Sequence, residues 1–154
     1  DLSSSFHVGW DDSYLYIGVK VHDEMYVQNA AGAELYKGDS IELLLDTDLK
    51  DDFYSTQLSP DNFQLGISPG RPNPEGARSA YLWLPRDISG PRNNVKIGSR
   101  LETGVYRVEA AIPWNIFEVT PVNGMHFGFA ISINDNDDGN DGVDPVQLDQ
   151  CDQD

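Results

Sequence analysis

Tyr14-Leu15-Tyr16-Ile17-Gly18-Val19-Lys20-Val21-His22 alternates without a break. Leu15, Ile17, Val19 and Val21 fall on one side, while Tyr14, Tyr16, Lys20 and His22 fall on the other. A period of two divides residues this way only in an extended strand, giving it one dry and one wet face. The same rhythm places Ile41, Leu43 and Leu45 against Ser40, Glu42 and Leu44 between Asp39 and Asp46. It sets Tyr106, Val108, Ala110 and Ile112 against Arg107, Glu109 and Ala111, and Phe127, Phe129, Ile131 and Ile133 against Gly128, Ala130, Ser132 and Asn134. Shorter runs at 6–10, 62–67, 80–84 and 95–101 read as further strands.

Turn chemistry separates the runs. Asp11-Asp12-Ser13 falls between two strands, and Glu102-Thr103-Gly104 and Val122-Asn123-Gly124 read as hairpin turns. Residues 68–76 hold too much Pro and Gly for a strand and form a surface loop. Pro113-Trp114-Asn115-Ile116-Phe117 suits one short helical turn. Many short strands with turns between them predict an all-β fold, a jelly-roll-like antiparallel β-sandwich, with residues 1–154 as one domain.

The 154 residues carry 26 Asp plus Glu against 10 Lys plus Arg, a formal charge of −16. That field repels phosphate backbones and anionic lipid, and it attracts cations. Nucleic acid is excluded as a partner, and no apolar run is long enough for membrane insertion. The sequence opens at Asp1-Leu2-Ser3 without a signal peptide, as a mature or trimmed segment would. The lone Cys151 forms no internal disulfide.

Four blocks resemble family 9 carbohydrate-binding modules, in the family's order. Residues 6–23 are similar to the opening strand pair. Gly38-Asp39-Ser40-Ile41-Glu42-Leu43-Leu44-Leu45-Asp46 resembles the family's Asp-Ser-hydrophobic-Glu strand. Tyr106-Arg107-Val108-Glu109-Ala110-Ala111-Ile112-Pro113-Trp114 resembles a further strand, and residues 124–138 resemble the one that ends in Asn-Asp. The resemblance implies a β-sandwich attached to catalytic or surface domains of a secreted or extracellular protein, where it holds a polysaccharide or oligosaccharide and catalyses nothing. It implies a stacking ring at Tyr36, where the family carries a tryptophan, and a sugar-contacting carboxylate at Glu42. The family's arginine has no match, Gly66 standing in its place, and its second stacking ring and opening strand are missing.

A sugar offers flat C–H faces and a rim of hydroxyls, which rings and charged hydrogen-bonding groups respectively cover. Tyr36, Glu42, Trp83, Glu109 and Asn134 are the candidate carbohydrate-binding residues. Trp114 reads as a core plug and Trp10 as structural. Glu42 and Glu109 sit in otherwise apolar strands, where a carboxylate needs a partner. Lys20, Arg100 or Arg107 could supply it. The run from Asn134 to Gly142 alternates oxygen ligands with Gly as calcium loops do, without the closing Glu of an EF-hand. Asp135, Asp137 and Asp141 are the candidate ligands of a structural Ca2+. Asp46, Asp48, Asp51 and Asp52 form a second acidic group. Two alternatives stay open. One is a spacer or adhesion domain without ligand. The other is haem held by Met25 or Met125 with His22 or His126, as in the related DOMON domains.

Overall fold

A computed structural model describes residues 2–52, 54–55, 57–71 and 77–137. Among the described residues, nine strands form two antiparallel sheets. In chain order they are β1 Ser3–Trp10, β2 Tyr14–His22, β3 Ser40–Asp46, β4 Asn62–Ser68, β5 Ser79–Leu84, β6 Gly90–Pro91, β7 Lys96–Glu102, β8 Val105–Pro113 and β9 Gly128–Asn134. One sheet runs β1-β2-β8-β7 and the other β6-β5-β4-β3-β9.

The alternation decides which residues close the sandwich. Leu15, Ile17, Val19 and Val21 meet Ile41, Leu43, Leu45, Leu65, Ile67 and Leu82 from the facing sheet in one core, completed by Tyr106, Val108 and Ile112. Removing each such aliphatic side chain from water contributes about 1.5–3 kcal/mol, so the inward register of every central strand is strongly specified. A slip of one residue would turn these faces outward.

The turns follow from local chemistry. The Asp11 carboxylate accepts the backbone N–H groups of Ser13 (2.7 Å) and Tyr14 (2.8 Å), closing β1 onto β2. Thr103-Gly104 joins β7 to β8 as a two-residue loop, with Gly104 at φ 73° where a side chain would be strained. Val122-Asn123-Gly124 is also a turn, closed by Met125 N–H to the Val122 carbonyl at 3.1 Å. It leads from the 3-10 turn Trp114–Phe117 into β9 and joins no pair of strands, which corrects the hairpin expected there. The expected helical turn is that 3-10 turn. Its Trp114 is buried and donates its indole N–H to the Asp11 carbonyl at 2.8 Å.

β6 was not legible as a strand because Gly90-Pro91 reads as turn. It lies at a sheet edge, where Pro is tolerated. Trp10, expected to be structural, is 72% exposed, because β1 is an edge strand that the facing sheet only partly covers.

Candidate functional site

The outer face of the five-stranded sheet carries a polar floor and an aromatic wall. Glu42, central in β3, pairs with Gly66 on β4 and Ser132 on β9. It is buried, and among the described residues no ion pair forms to it. Gln64 donates its side-chain N–H to one carboxylate oxygen at 2.9 Å, and Asn134 donates to the other at 3.0 Å. Lys20, Arg100 and Arg107, the partners expected for Glu42, stand on the other sheet. A carboxylate offers about four lone-pair sites, so two directions remain for further donors.

The floor is tied to the wall. Asn134 also donates to Ser40 Oγ at 3.1 Å, and that hydroxyl donates to the carbonyls of Gly38 (3.0 Å) and Leu35 (3.3 Å). These carbonyls belong to a 3-10 turn, Gly32–Lys37, and its cap, and the same turn carries Tyr36. Leu35 plugs the turn onto the sheet with no exposed surface. Gln28 Nε2 holds the Asp39 carbonyl at 2.9 Å, and Asn136 holds the Lys37 carbonyl at 2.9 Å.

Tyr36 is 36% exposed and meets Trp83 edge-on, with ring centroids 6.1 Å apart. Trp83 alternates outward with Tyr81, their rings 5.9 Å apart, while Leu82 between them is buried. The Trp83 indole donates to the Ala33 carbonyl at 2.8 Å and occupies the space that a side chain at Gly66 would need. Gly66, paired with Glu42, thus makes room for the six-membered ring of a half-buried indole.

Of the five residues singled out for sugar contact, Tyr36, Glu42, Trp83 and Asn134 come together here. Asn134 is buried and acts through Glu42. Glu109 does not join them. It is exposed on the outer face of the four-stranded sheet, opposite Gly18 and Gly98. Gln64 and Tyr81 were missed, although both point outward from strands that the alternation had already identified.

A second cluster lies at one end of the sandwich, where β2 ends, β3 begins and β9 leaves its sheet. Carboxylate oxygens of Asp23, Asp135 and Asp137 all lie within 4.8 Å of one another. Asp23 accepts Met25 N–H at 2.7 Å through one oxygen, and its other oxygen is buried without a partner. Asp135 Oδ1 and the Tyr106 hydroxyl are likewise buried and unpartnered. Asp39 lies fully buried alongside and accepts the N–H groups of Val27 and Asn136. Burial pushes the Asp39 carboxyl up to about 8. Burial, then the charges of Asp137 and Asp23, pushes Asp135 to about 6, and burial raises Asp23 as well.

A buried polar atom without a partner costs about 1–3 kcal/mol, and crowded carboxylates add repulsion. Hard oxygen donors with unfilled valence suit a hard divalent cation. Asp23, which the sequence reading missed, supplies the most buried ligand of the three. Asp141 lies outside the described residues. In the second acidic group, the side chains of Asp51 and Asp52 are not described. Asp46 and Asp48 are engaged in local contacts, Asp46 Oδ1 accepting the Asp48 N–H at 3.0 Å. Met25, Met125, His22 and His126, the residues weighed for haem, are all exposed and none faces the core.

Over 129 residues the chain is 29% identical to Endo-1,4-beta-xylanase A of Thermoanaerobacterium saccharolyticum, and over 130 residues 29% identical to Exoglucanase XynX of Acetivibrio thermocellus. Each match covers 84% of this chain but only 10% of the relative's length. A family 9 carbohydrate binding module from Caldicellulosiruptor kristjanssonii, solved with cellotriose, superposes with a TM-score of 0.60 at 25% identity, over 88% of this chain and 60% of that one. A second structure of such a module from that organism, with glucose, gives a TM-score of 0.62 at 23% identity over 88% and 61%. The pattern described as "Carbohydrate family 9 binding domain-like" matches residues 1–149, and the chain belongs to that family.

Proposed function

We propose that this chain is a non-catalytic module that binds a glucose-type saccharide on the outer face of the five-stranded sheet. Tyr36 would present its ring to the C–H face of the sugar, with Trp83 flanking it. Glu42 would accept sugar hydroxyls through the lone pairs that Gln64 and Asn134 leave free. The observation that carries the reading is the half-open Tyr36 ring, joined through Trp83 and Gly66 to a carboxylate held by the Gln64 and Asn134 amides. The solved relatives with cellotriose and glucose support the ligand class. The xylanase and exoglucanase relatives support attachment to a catalytic domain in a secreted or extracellular protein.

Two carboxylates arranged for glycoside hydrolysis stand roughly 5–10 Å apart across one bond. Glu42 and Glu109 lie on opposite outer faces, with a core about 10 Å thick between the sheets, which supports binding without hydrolysis. Asp23, Asp135 and Asp137 would hold a structural calcium ion, fixing the residues that follow β9 beside Asn134. The ion would supply charge neutralisation and rigidity.

Calorimetric titration with cellotriose and glucose tests the site. Binding by the unaltered protein and a loss of tenfold or more in Tyr36→Ala are expected. Absence of binding to either sugar in calcium buffer would favour the spacer reading and sink this one.

A further inference from the structure

The other outer face carries a feature that this reading does not use. Paired residues in a sheet point to the same side, so the register of β1, β2, β8 and β7 lines up His7, Gly18, Glu109 and Gly98 in one row across all four strands. The adjacent row is Gly9, Tyr16, Ala111 and Lys96. Together they line a shallow, open groove of about 600 Å³.

Its floor is bare by choice of residue. Gly9 on β1, Gly18 on β2 and Gly98 on β7 interrupt three of the four strands, with β8 and its Glu109 between the last two, and a glycine inside a strand weakens it. The fold does not need them. A Cβ at Gly9 or Gly18 would meet nothing within 4 Å, at Gly98 only the Glu109 carbonyl at 4.0 Å, and none has a positive φ. Packing therefore gives no reason for glycine at these positions, and close approach by an outside molecule does.

The rim indicates its chemistry. Tyr16 is 39% exposed, its hydroxyl anchored to Asp11 at 2.8 Å, so its ring stands as a fixed wall. His7 and Glu109 face each other over Gly18. Lys96 closes one row, and Lys20, Arg107 and Arg100 form the row on the other side of Gly18, Glu109 and Gly98. Four of the ten Lys and Arg residues of a −16 chain thus stand on one sheet face; Arg100 and Arg107 share the carboxylate of Glu102, Lys96 lies over the Tyr14 ring, and Asp11 and Glu109 stand on the same face.

We infer that this groove is a second glycan site, across the strands, for a polysaccharide bearing uronic-acid carboxylates. The flat glycine floor and Tyr16 take the sugar faces, His7 and Glu109 take hydroxyls, and the cations take the carboxylates. The inference shares with the proposed function the premise that the chain recognises glycans, but none of its residues.

Affinity electrophoresis in glucuronoxylan and in neutral arabinoxylan, beside cellotriose titration, separates the two. The double variant Gly18→Val/Gly98→Val fills the groove from positions where a Cβ meets nothing closer than 4.0 Å. It should lose tenfold or more in retardation by glucuronoxylan and keep its cellotriose affinity, and Tyr36→Ala should do the reverse. Lys20→Ser should weaken glucuronoxylan binding and flatten its salt dependence. The inference is overturned if the double variant stays within twofold of the unaltered protein, if glucuronoxylan does not retard the unaltered protein, or if neutral arabinoxylan retards it equally. Loss of glucuronoxylan binding in the double variant alone, with no cellotriose binding in any protein, would sustain this groove and reject the Tyr36 site.

Discussion

Gly66→Ala tests whether Trp83 is fixed against the sheet. A Cβ there would stand 2.5 Å from Trp83 Cζ3 and 3.3 Å from Leu35 Cδ2. Leu35 has no room to yield, being fully buried under its 3-10 turn. The indole must move, and it is held by its 2.8 Å bond to Ala33 and by the Tyr36 and Tyr81 rings. Forced overpacking costs about 1–3 kcal/mol, and a lost hydrogen bond costs about 0.5–1.5 kcal/mol. Against this, replacing a mid-strand glycine by alanine returns roughly 0.5–1 kcal/mol. The half-exposed indole can also swing outward and escape part of the strain. Destabilisation of about 1–2 kcal/mol is the expected balance, read as a lower urea midpoint with unchanged slope. Indole emission should shift to the red as Trp83 becomes wetter, and cellotriose affinity should fall with it. A variant as stable as the parent with unchanged emission would refute the picture, since Trp83 would then not occupy the Gly66 position.

Other perturbations probe the remaining parts. Raised carboxyl pKa values mean that the metal-free folded protein keeps protons which the unfolded chain releases. Its stability should therefore fall as pH rises from the ordinary carboxylate range, about 4, through the values of about 6 and 8 for Asp135 and Asp39. Calcium at a hundredfold excess over its Kd adds about 2.7 kcal/mol, or about 5–11 °C in Tm for a chain of this size. The gap between calcium and EDTA melts should widen from pH 5 to pH 8, and a constant gap would count against these carboxylates as ligands. Glu42→Gln replaces an oxygen with an N–H that faces Gln64 or Asn134. Charged hydrogen bonds contribute about 1.5–3 kcal/mol, so cellotriose binding should weaken about tenfold or more, and unchanged affinity by calorimetry would remove Glu42 from the site. Gly18→Val should raise stability by about 0.5–1 kcal/mol in urea melts, and a loss of stability would mean that the fold itself requires that glycine.

What the sequence disclosed followed the reach of each signal. Period two depends only on local alternation, so β2, β3 and β8 were legible to within a residue or two, down to the inward register of Val19 and Val108. Which outer face a residue shares depends on strand order, which alternation does not encode. Glu42 and Glu109 looked equivalent for that reason, each a carboxylate amid apolar neighbours, yet β3 and β8 belong to different sheets. Asp23 and Asp39 are 112 and 96 residues before Asp135 in the chain, and only the meeting of strand ends makes them one cluster with it. The glycines of the second groove were present in the alternation as small outward residues. They gained meaning once the register set Gly18 and Gly98 in one row on either side of Glu109, with Gly9 in the row beside it.

The acidic cluster and the saccharide floor adjoin through β9, and that continuity has a thermodynamic consequence. Asn134 holds Glu42, Asn136 binds Asp39, and Asp135 and Asp137 alternate with them along the same few residues. Without a cation, crowded carboxylates push that segment apart, and Asn134 is its first residue inside the sheet. A bound calcium should therefore favour the arrangement in which Asn134 fixes the Glu42 carboxylate. Linkage makes the effect reciprocal. Whatever factor calcium adds to cellotriose affinity, cellotriose must add to calcium affinity, and typical couplings of this kind are about 1–3 kcal/mol. Titrating cellotriose with and without calcium, then calcium with and without cellotriose, should give the same ratio twice. Asn134→Ala should bring that ratio to one, because it removes the only side chain among the described residues that bonds both Glu42 and Ser40. Identical cellotriose affinities in calcium and in EDTA would leave the cation a brace for the chain end alone, with Glu42 held by its neighbours regardless.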